Sequence, residues 1–139
     1  MKGPIVFIAC SKTKRSQATQ ARDLYCGTLF KKTLKYAEQK YSSIFILSAK
    51  YGVVSLNQII PPYEKTLSKM SKTKRNEWYS LVKKQMKDLQ LKPPYIFLTG
   101  KLYNQNFIGD KPLSNLSLGQ QLQWFNKKLL FNKKKGFEL

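Results

Sequence analysis

Three short apolar runs stand far apart in the chain, and each is closed by a hydroxyl with a lysine no more than two residues beyond it. They are Ile5-Val6-Phe7-Ile8-Ala9-Cys10 before Ser11-Lys12, Ile44-Phe45-Ile46-Leu47 before Ser48-Ala49-Lys50, and Tyr95-Ile96-Phe97-Leu98 before Thr99-Gly100-Lys101. Continuous apolar runs rich in β-branched and aromatic residues, without polar alternation, predict strands buried on both faces, as in a parallel sheet. Between the first two runs, Leu29, Phe30, Leu34 and Ala37 fall at helical spacing behind Gly27 and Thr28, a candidate cap, with lysines on the outer face. Strand, helix and strand in that order predict a parallel crossover and an α/β fold. A second helix is expected behind Ser68 or Ser71, burying Trp78, Leu81, Val82, Met86 and Leu89, and Lys92-Pro93-Pro94 ends it. A last helix over 118–130 turns Leu118, Leu122, Phe125 and Leu129 inward. Gly52-Val53-Val54 reads as a short edge segment, residues 16–22 as an irregular stretch that orders with ligand, and 104–115 as loop. The expectation is a single α/β domain over 1–139: a three-layer sandwich with a mainly parallel central sheet, followed by a basic tail at 132–139.

Charge changes the picture. Lys and Arg number 26 against 7 Asp and Glu, a formal charge of +19. Such a surplus repels itself in the compact state and calls for a polyanion, nucleic acid (DNA) first and an anionic membrane surface second, unless the surface is merely lysine-rich by composition. Hydrophobic residues at 42% still provide for a core. Two cysteines, Cys10 and Cys26, make no disulfide framework and fit a reducing cytoplasm, and the six-residue first run is too short for a signal peptide or a membrane span. Histidine is absent, which removes Ser-His-Asp and Cys-His catalysis and the commonest transition-metal ligand, and no zinc spacing occurs. A cytoplasmic monomer with neither metal nor cofactor, and no membrane partner, is expected.

If the three strands are parallel, their tips share one carboxyl edge, where ligands bind in open α/β sheets. Ser11, Lys12, Thr13, Lys14, Ser48 and Lys101, with Arg22, are then candidates to hold phosphate; the alternative is that strands simply end in polar residues. Of the seven carboxylates, Glu38, Glu77, Asp88 and Glu138 read as solvated ion-pair partners and Asp110 as a turn residue. Asp23 and Glu64, each near a tyrosine in a motif loop, remain as catalytic candidates, although Asp23 can instead be structural. Lys50 is a candidate Schiff-base nucleophile or a permanent cation for phosphate. Tyr25, Tyr51 and Tyr63 are candidates to stack on a base, and Gln120 and Gln121 to read its edge, or equally to cap the last helix and bond backbone. Two carboxylates among many lysines suit a metal-dependent nuclease poorly, whereas hydrolysis of an N-glycosidic bond needs one carboxylate, cations for the flanking phosphates and an aromatic surface.

Several motifs carry a family resemblance. Ser11-Lys12-Thr13-Lys14, Ala21-Arg22-Asp23-Leu24-Tyr25, Ser48-Ala49-Lys50-Tyr51-Gly52, Pro62-Tyr63-Glu64-Lys65-Thr66-Leu67, Gly100 with Tyr103, Pro112-Leu113 and Gly119-Gln120-Gln121 resemble a family of small bacterial and phage-associated domains of unknown function. That family is distantly similar to the YaaA-like DNA-binding stress proteins. The resemblance implies an α/β domain whose motif residues share one cleft, and a connection to nucleic acid or nucleotide chemistry without an established reaction. The second helix and tail are more basic than it suggests, which favours a polymeric substrate. The sandwich with strand-tip loops is also broadly similar to the uracil-DNA-glycosylase architecture, an analogy of fold alone. The resulting expectation is a DNA-binding enzyme of glycosylase type, acting on a modified or damaged base in phage defence or repair. The alternatives are a non-catalytic DNA-binding protein and a nuclease or nucleotide-processing enzyme.

Overall fold

Strand β1 (Ile5–Ala9) lies inside a four-stranded sheet, parallel to β3 (Ser43–Ser48) on one side and to β6 (Tyr95–Leu98) on the other. A computed structural model describes residues 3–137 of the chain, and from residue 131 onward its backbone alone. The sheet is completed by β4 (Gly52–Ser55), which turns back antiparallel along β3 and forms the edge expected there, giving the order β4-β3-β1-β6. The registers Val6 to Ile44 and Ile96, and Ile8 to Ile46 and Leu98, align the three apolar runs side by side. Val6, Phe7 and Ile8 are wholly buried, as continuous apolar strands require.

The two faces of β1 meet different layers. On one, Phe7 stacks on Phe97 (centroids 5.0 Å apart) and Phe97 on Phe107 (5.4 Å), and Phe107 meets Tyr79 of α3 (Lys72–Asp88) edge-on at 5.8 Å. On the other, α2 (Thr28–Lys40) and α5 (Leu118–Phe137), the latter reached from β6 by way of the short α4 (Lys101–Asn104), pack together through Tyr36, whose ring sits 5.2 Å from Trp124 and 5.6 Å from Phe125. Helices on both sides of a mostly parallel sheet make this an α/β domain of the expected class.

Local readings are corrected in several places. Of the expected cap Gly27-Thr28, Gly27 takes the cap position and Thr28 opens α2, with no side chain capping the helix. Ser71 caps α3, its Oγ accepting from the Lys74 amide at 3.1 Å. The buried stripe of α3 is Trp78, Tyr79, Val82 and Met86; Leu81 and Leu89 face outward because the stripe runs at four-residue spacing. Leu118 is exposed at the start of α5, where Phe125 is the buried anchor. The segment 16–22 is ordered by the protein itself. Thr19–Gln20 (β2) pairs antiparallel with Ile59–Ile60 (β5), and the next turn, α1 (Ala21–Leu24), hangs its amides on the Gln58 and Leu56 carbonyls while Ala21 and Leu24 enter the core. Helix α5 continues through Phe137, past the expected end at 130, so the basic tail begins inside a helix. The tail's side chains, and Glu138 altogether, lie outside the described residues.

The β3–β4 turn depends on one glycine. Gly52 has φ +73°, and a Cβ there would collide with the Gln85 Oε1. That amide accepts from the Val53 N–H (2.7 Å) and donates to the Tyr51 carbonyl (2.9 Å), tying α3 to the turn. Gly52→Ala therefore combines left-handed strain with loss of the bridge and is expected to lower stability by about 2 to 4 kcal/mol. Gly119→Ala, with open space around it in α5, is expected to raise stability by about 0.5 to 1 kcal/mol. Urea denaturation midpoints of the two variants check the contrast.

Candidate functional site

Because β1, β3 and β6 run parallel, Cys10-Ser11, Ser48 and Thr99 arrive at one edge of the sheet. The loop after β1 is held against the segment after α1. The Arg15 N–H donates to the Leu24 carbonyl (2.9 Å), the Cys26 N–H to the Thr13 carbonyl (3.0 Å), and Lys14 pairs with Tyr25 as an isolated antiparallel bridge. Ser11 Oγ donates to the Thr13 carbonyl (2.7 Å) and accepts from the Gly27 N–H (3.3 Å). This lacing turns Lys14 inward: its Nζ donates to the Lys12 carbonyl (3.0 Å) and lies 4.4 Å from the Tyr63 ring centroid.

Beneath the lysine lies a buried hydroxyl chain. Ser48 Oγ donates to Tyr63 Oη (2.7 Å), and Tyr63 Oη and Tyr25 Oη share a second bond of 2.7 Å. Ser48 Oγ also accepts the amides of Lys50 (3.2 Å) and Tyr51 (3.0 Å), so every member is partnered. Nearby, Cys10 Sγ and Tyr103 Oη lie 3.3 Å apart. Burial pushes the Tyr25 phenol up to about 12, with the neighbouring Cys10 adding to the rise. Burial raises Tyr63 and Tyr103 further in the same direction, so all three hydroxyls stay protonated at neutral pH. Lys14 moves the other way: burial lowers it, opposed in part by Cys10, Glu64 and Cys26.

Two hollows border this edge and share Lys12. A cleft of about 500 Å³ gathers Lys12, Lys14, Lys65 and Lys69 around Glu64, with Tyr63 in its wall. A more enclosed pocket of about 240 Å³ lies between β1, β6 and the first turns of α2 and α5, lined by Cys10, Ser11, Thr33, Thr99 and Gln121 with apolar neighbours. Hollows of about 460 and 490 Å³ occur elsewhere, beside Phe107 and beside Arg22, but neither holds the carboxyl end of a parallel strand. Volume does not separate these sites; chemistry does.

The expected residues divide accordingly. Lys12, Lys14, Tyr63 and Glu64 come together in the cleft, and Ser11 and Gln121 in the enclosed pocket. Ser48 is fully buried with its hydroxyl spent on Tyr63, so it does not reach a phosphate. Arg22 pairs with Glu38 (2.9 Å) and Asn57 (3.2 Å) near Ser43, at the opposite end of the sheet. Asp23 is exposed on α1 and lines neither hollow; its carbonyl accepts from Arg15 Nε at 2.8 Å. Lys50 is also exposed, 5.3 Å from the Tyr51 ring centroid, and the desolvated lysine is Lys14 instead. Thr13 and Lys101 are exposed outside both hollows. Tyr25 is 1% exposed and offers no ring face to a base, while Tyr51 packs edge-on against Tyr63 at 5.5 Å. Gln120 forms a reciprocal cap with Ser117, Oε1 accepting the Ser117 amide (2.9 Å) and Ser117 Oγ accepting the Gln120 amide (3.2 Å).

Sequence reasoning missed Lys65, Lys69 and Thr33. The first two stand one and five residues after Glu64, and the turn at Leu67–Lys69 leaves both on the lining of the same cleft.

Residues 5–127 match a family of unknown function (DUF6884), and the chain belongs to that family. No curated protein and no solved structure matches it. Among the described residues no helix is long and apolar enough to cross a membrane, and no three metal-binding side chains cluster.

The tyrosine network carries a pH signature. A phenol whose value is raised on folding from 10.0 to about 12 stabilises the fold fully below pH 10, and that contribution fades as pH climbs toward 12. Tyr25→Phe is expected to be less stable than the parent by about 1 kcal/mol at pH 8. The gap should close between pH 10 and 12, as followed by denaturation at each pH.

Proposed function

We propose that this protein binds DNA along its lysine-lined edge and hydrolyses an N-glycosidic bond in the cleft that holds Glu64. The observation that carries the reading is the cleft's composition: one carboxylate, Glu64, stands among Lys12, Lys14, Lys65 and Lys69 beside the Tyr63 ring. Four ammonium groups suit the phosphates on either side of an extruded nucleotide. The single carboxylate suits the positive charge that develops at C1′ as the base departs. In the proposed step the C1′–N bond breaks, the base leaves with the bonding pair, and the oxygen of water bonds to C1′. One proton of that water ends on the base and the hydroxyl remains on the sugar. Glu64 orients the water and faces the cationic sugar. The formal charge of +19 supports DNA as the polymer, and defence or repair is the setting that the family resemblance implies. A paired-carboxylate metal site finds less support, because Asp23 is not in the cleft with Glu64.

The test is mass spectrometry of small molecules released from unmodified and phage-modified DNAs in the presence of chelator. Free base with matching alkali-labile sites is expected. Glu64→Gln should lower release by about 100-fold or more with DNA affinity held within about threefold. Lys12→Ala with Lys14→Ala should weaken binding and cut its salt dependence by about two charges' worth, while Asp23→Ala leaves turnover unchanged. Intact DNA held in a salt-sensitive complex would replace this reading with a non-catalytic DNA-binding protein, and chelator-sensitive strand breaks without abasic sites would replace it with a nuclease.

A further inference from the structure

The enclosed pocket beside the cleft has a one-sided hydrogen-bonding character. Every hydroxyl in its lining has already given its proton to backbone: Ser11 Oγ to the Thr13 carbonyl (2.7 Å), Thr33 Oγ1 to the Leu29 carbonyl (2.7 Å) and Thr99 Oγ1 to the Gly100 carbonyl (2.9 Å). Gln121, only 5% exposed, donates Nε2 to the Leu116 carbonyl at 3.1 Å. A carbonyl can only accept, so this bond fixes which end of the amide faces it and leaves Oε1 without a partner among the described residues, on a side chain that lines the pocket. Gly100 reinforces the setting, since a Cβ there would come within 3.2 Å of Nε2. What remains for a ligand, between the apolar walls of Phe30 and Leu98, is the lone pairs of these hydroxyls and of Gln121 Oε1 together with the second Nε2 hydrogen, and the Lys12 ammonium is shared between pocket and cleft.

From this we infer that the pocket receives a nucleobase bearing an exocyclic amino group, with Gln121 Oε1 accepting from it. The inference rests on the reading of the neighbouring cleft as a DNA site, and it names the class of base. The size agrees. About 240 Å³ falls below the roughly 300 to 1,000 Å³ of pockets that enclose drug-sized ligands, so the space suits one flat ring system with its phosphate left outside near Lys12. The apolar walls cover the ring faces, and a keto group in place of the amino group would set oxygen against oxygen, leaving buried acceptors unpaired.

Nucleotide pairs that differ only at this position read the inference directly. The ¹⁵N-labelled protein is titrated with cytidine and uridine 5′-monophosphates, and separately with adenosine and inosine 5′-monophosphates, and followed by NMR at the Gln121 side-chain amide. The amino-bearing member of at least one pair is expected to bind about 10-fold more tightly, with the Gln121 amide resonance shifting. Gln121→Met should reduce that ratio to within about threefold, and Glu64→Gln should leave it in place. Equal affinities in both pairs for the parent protein would overturn the inference without recourse to any variant, as would a preference that survives in folded Gln121→Met. Amino selectivity without base release from DNA would retain this pocket and overturn the hydrolysis. Base release without amino selectivity would do the reverse.

Discussion

The structure depends on the burial of β1 through its three central residues, Val6, Phe7 and Ile8. A strand paired in parallel on both edges and covered on both faces satisfies its backbone internally and contributes apolar surface to two layers at once: Phe7 toward the Phe97 and Phe107 stack, and the opposite face toward the layer of α2. Such a strand has to release the chain at its carboxyl end, beside the ends of its two parallel neighbours. The polar groups released there either find partners inside the fold or face a ligand. Ser48 shows the first outcome, while Lys12 is left exposed on the lining of both hollows.

The partnered groups shape the site as much as the open ones. The Ser48–Tyr63–Tyr25 chain crosses from β3 to two loops far apart in sequence, and it fixes the aromatic surface on which Lys14 rests. A cation held over that surface and partly withdrawn from water is less well solvated than its exposed neighbours, and a bound anion would restore what burial removes. In a chain of formal charge +19, such a lysine beside the lone cleft carboxylate of Glu64 concentrates opposite charges where the surrounding surface is of one sign. The proposed chemistry uses that contrast: cations at the phosphates, a carboxylate at the sugar and an acceptor-lined pocket for the base.

The fold was largely legible in the chain itself. The three apolar runs, the α2 face of Phe30, Leu34 and Ala37, and the edge at Gly52 through Val54 follow from local periodicity and hydrophobic burial. Helix faces were less secure where leucines flank the true stripe: Leu81 and Leu118 match an apolar pattern yet lie in solvent, because the turn at which a helix meets its neighbours is set by those neighbours. The segment 16–22 gave no strand signal, since a two-residue strand is defined by its partner Ile59–Ile60 alone.

By itself the sequence determined the α/β class, the strand tips as the place where polar chemistry collects, the exclusion of histidine chemistry and the short catalogue of carboxylates. Those are properties of composition and of local period. Tertiary structure alone placed Glu64 in the lysine-lined cleft and left Asp23 outside it, turned Ser48 and Tyr25 into internal supports, sent Arg22 to Glu38 at the far end of the sheet, and brought Lys65, Lys69 and Thr33 to the two hollows. The physical reason is that a polar side chain's role depends on which partner reaches it first, and here the partners come from 15 to 38 residues away along the chain.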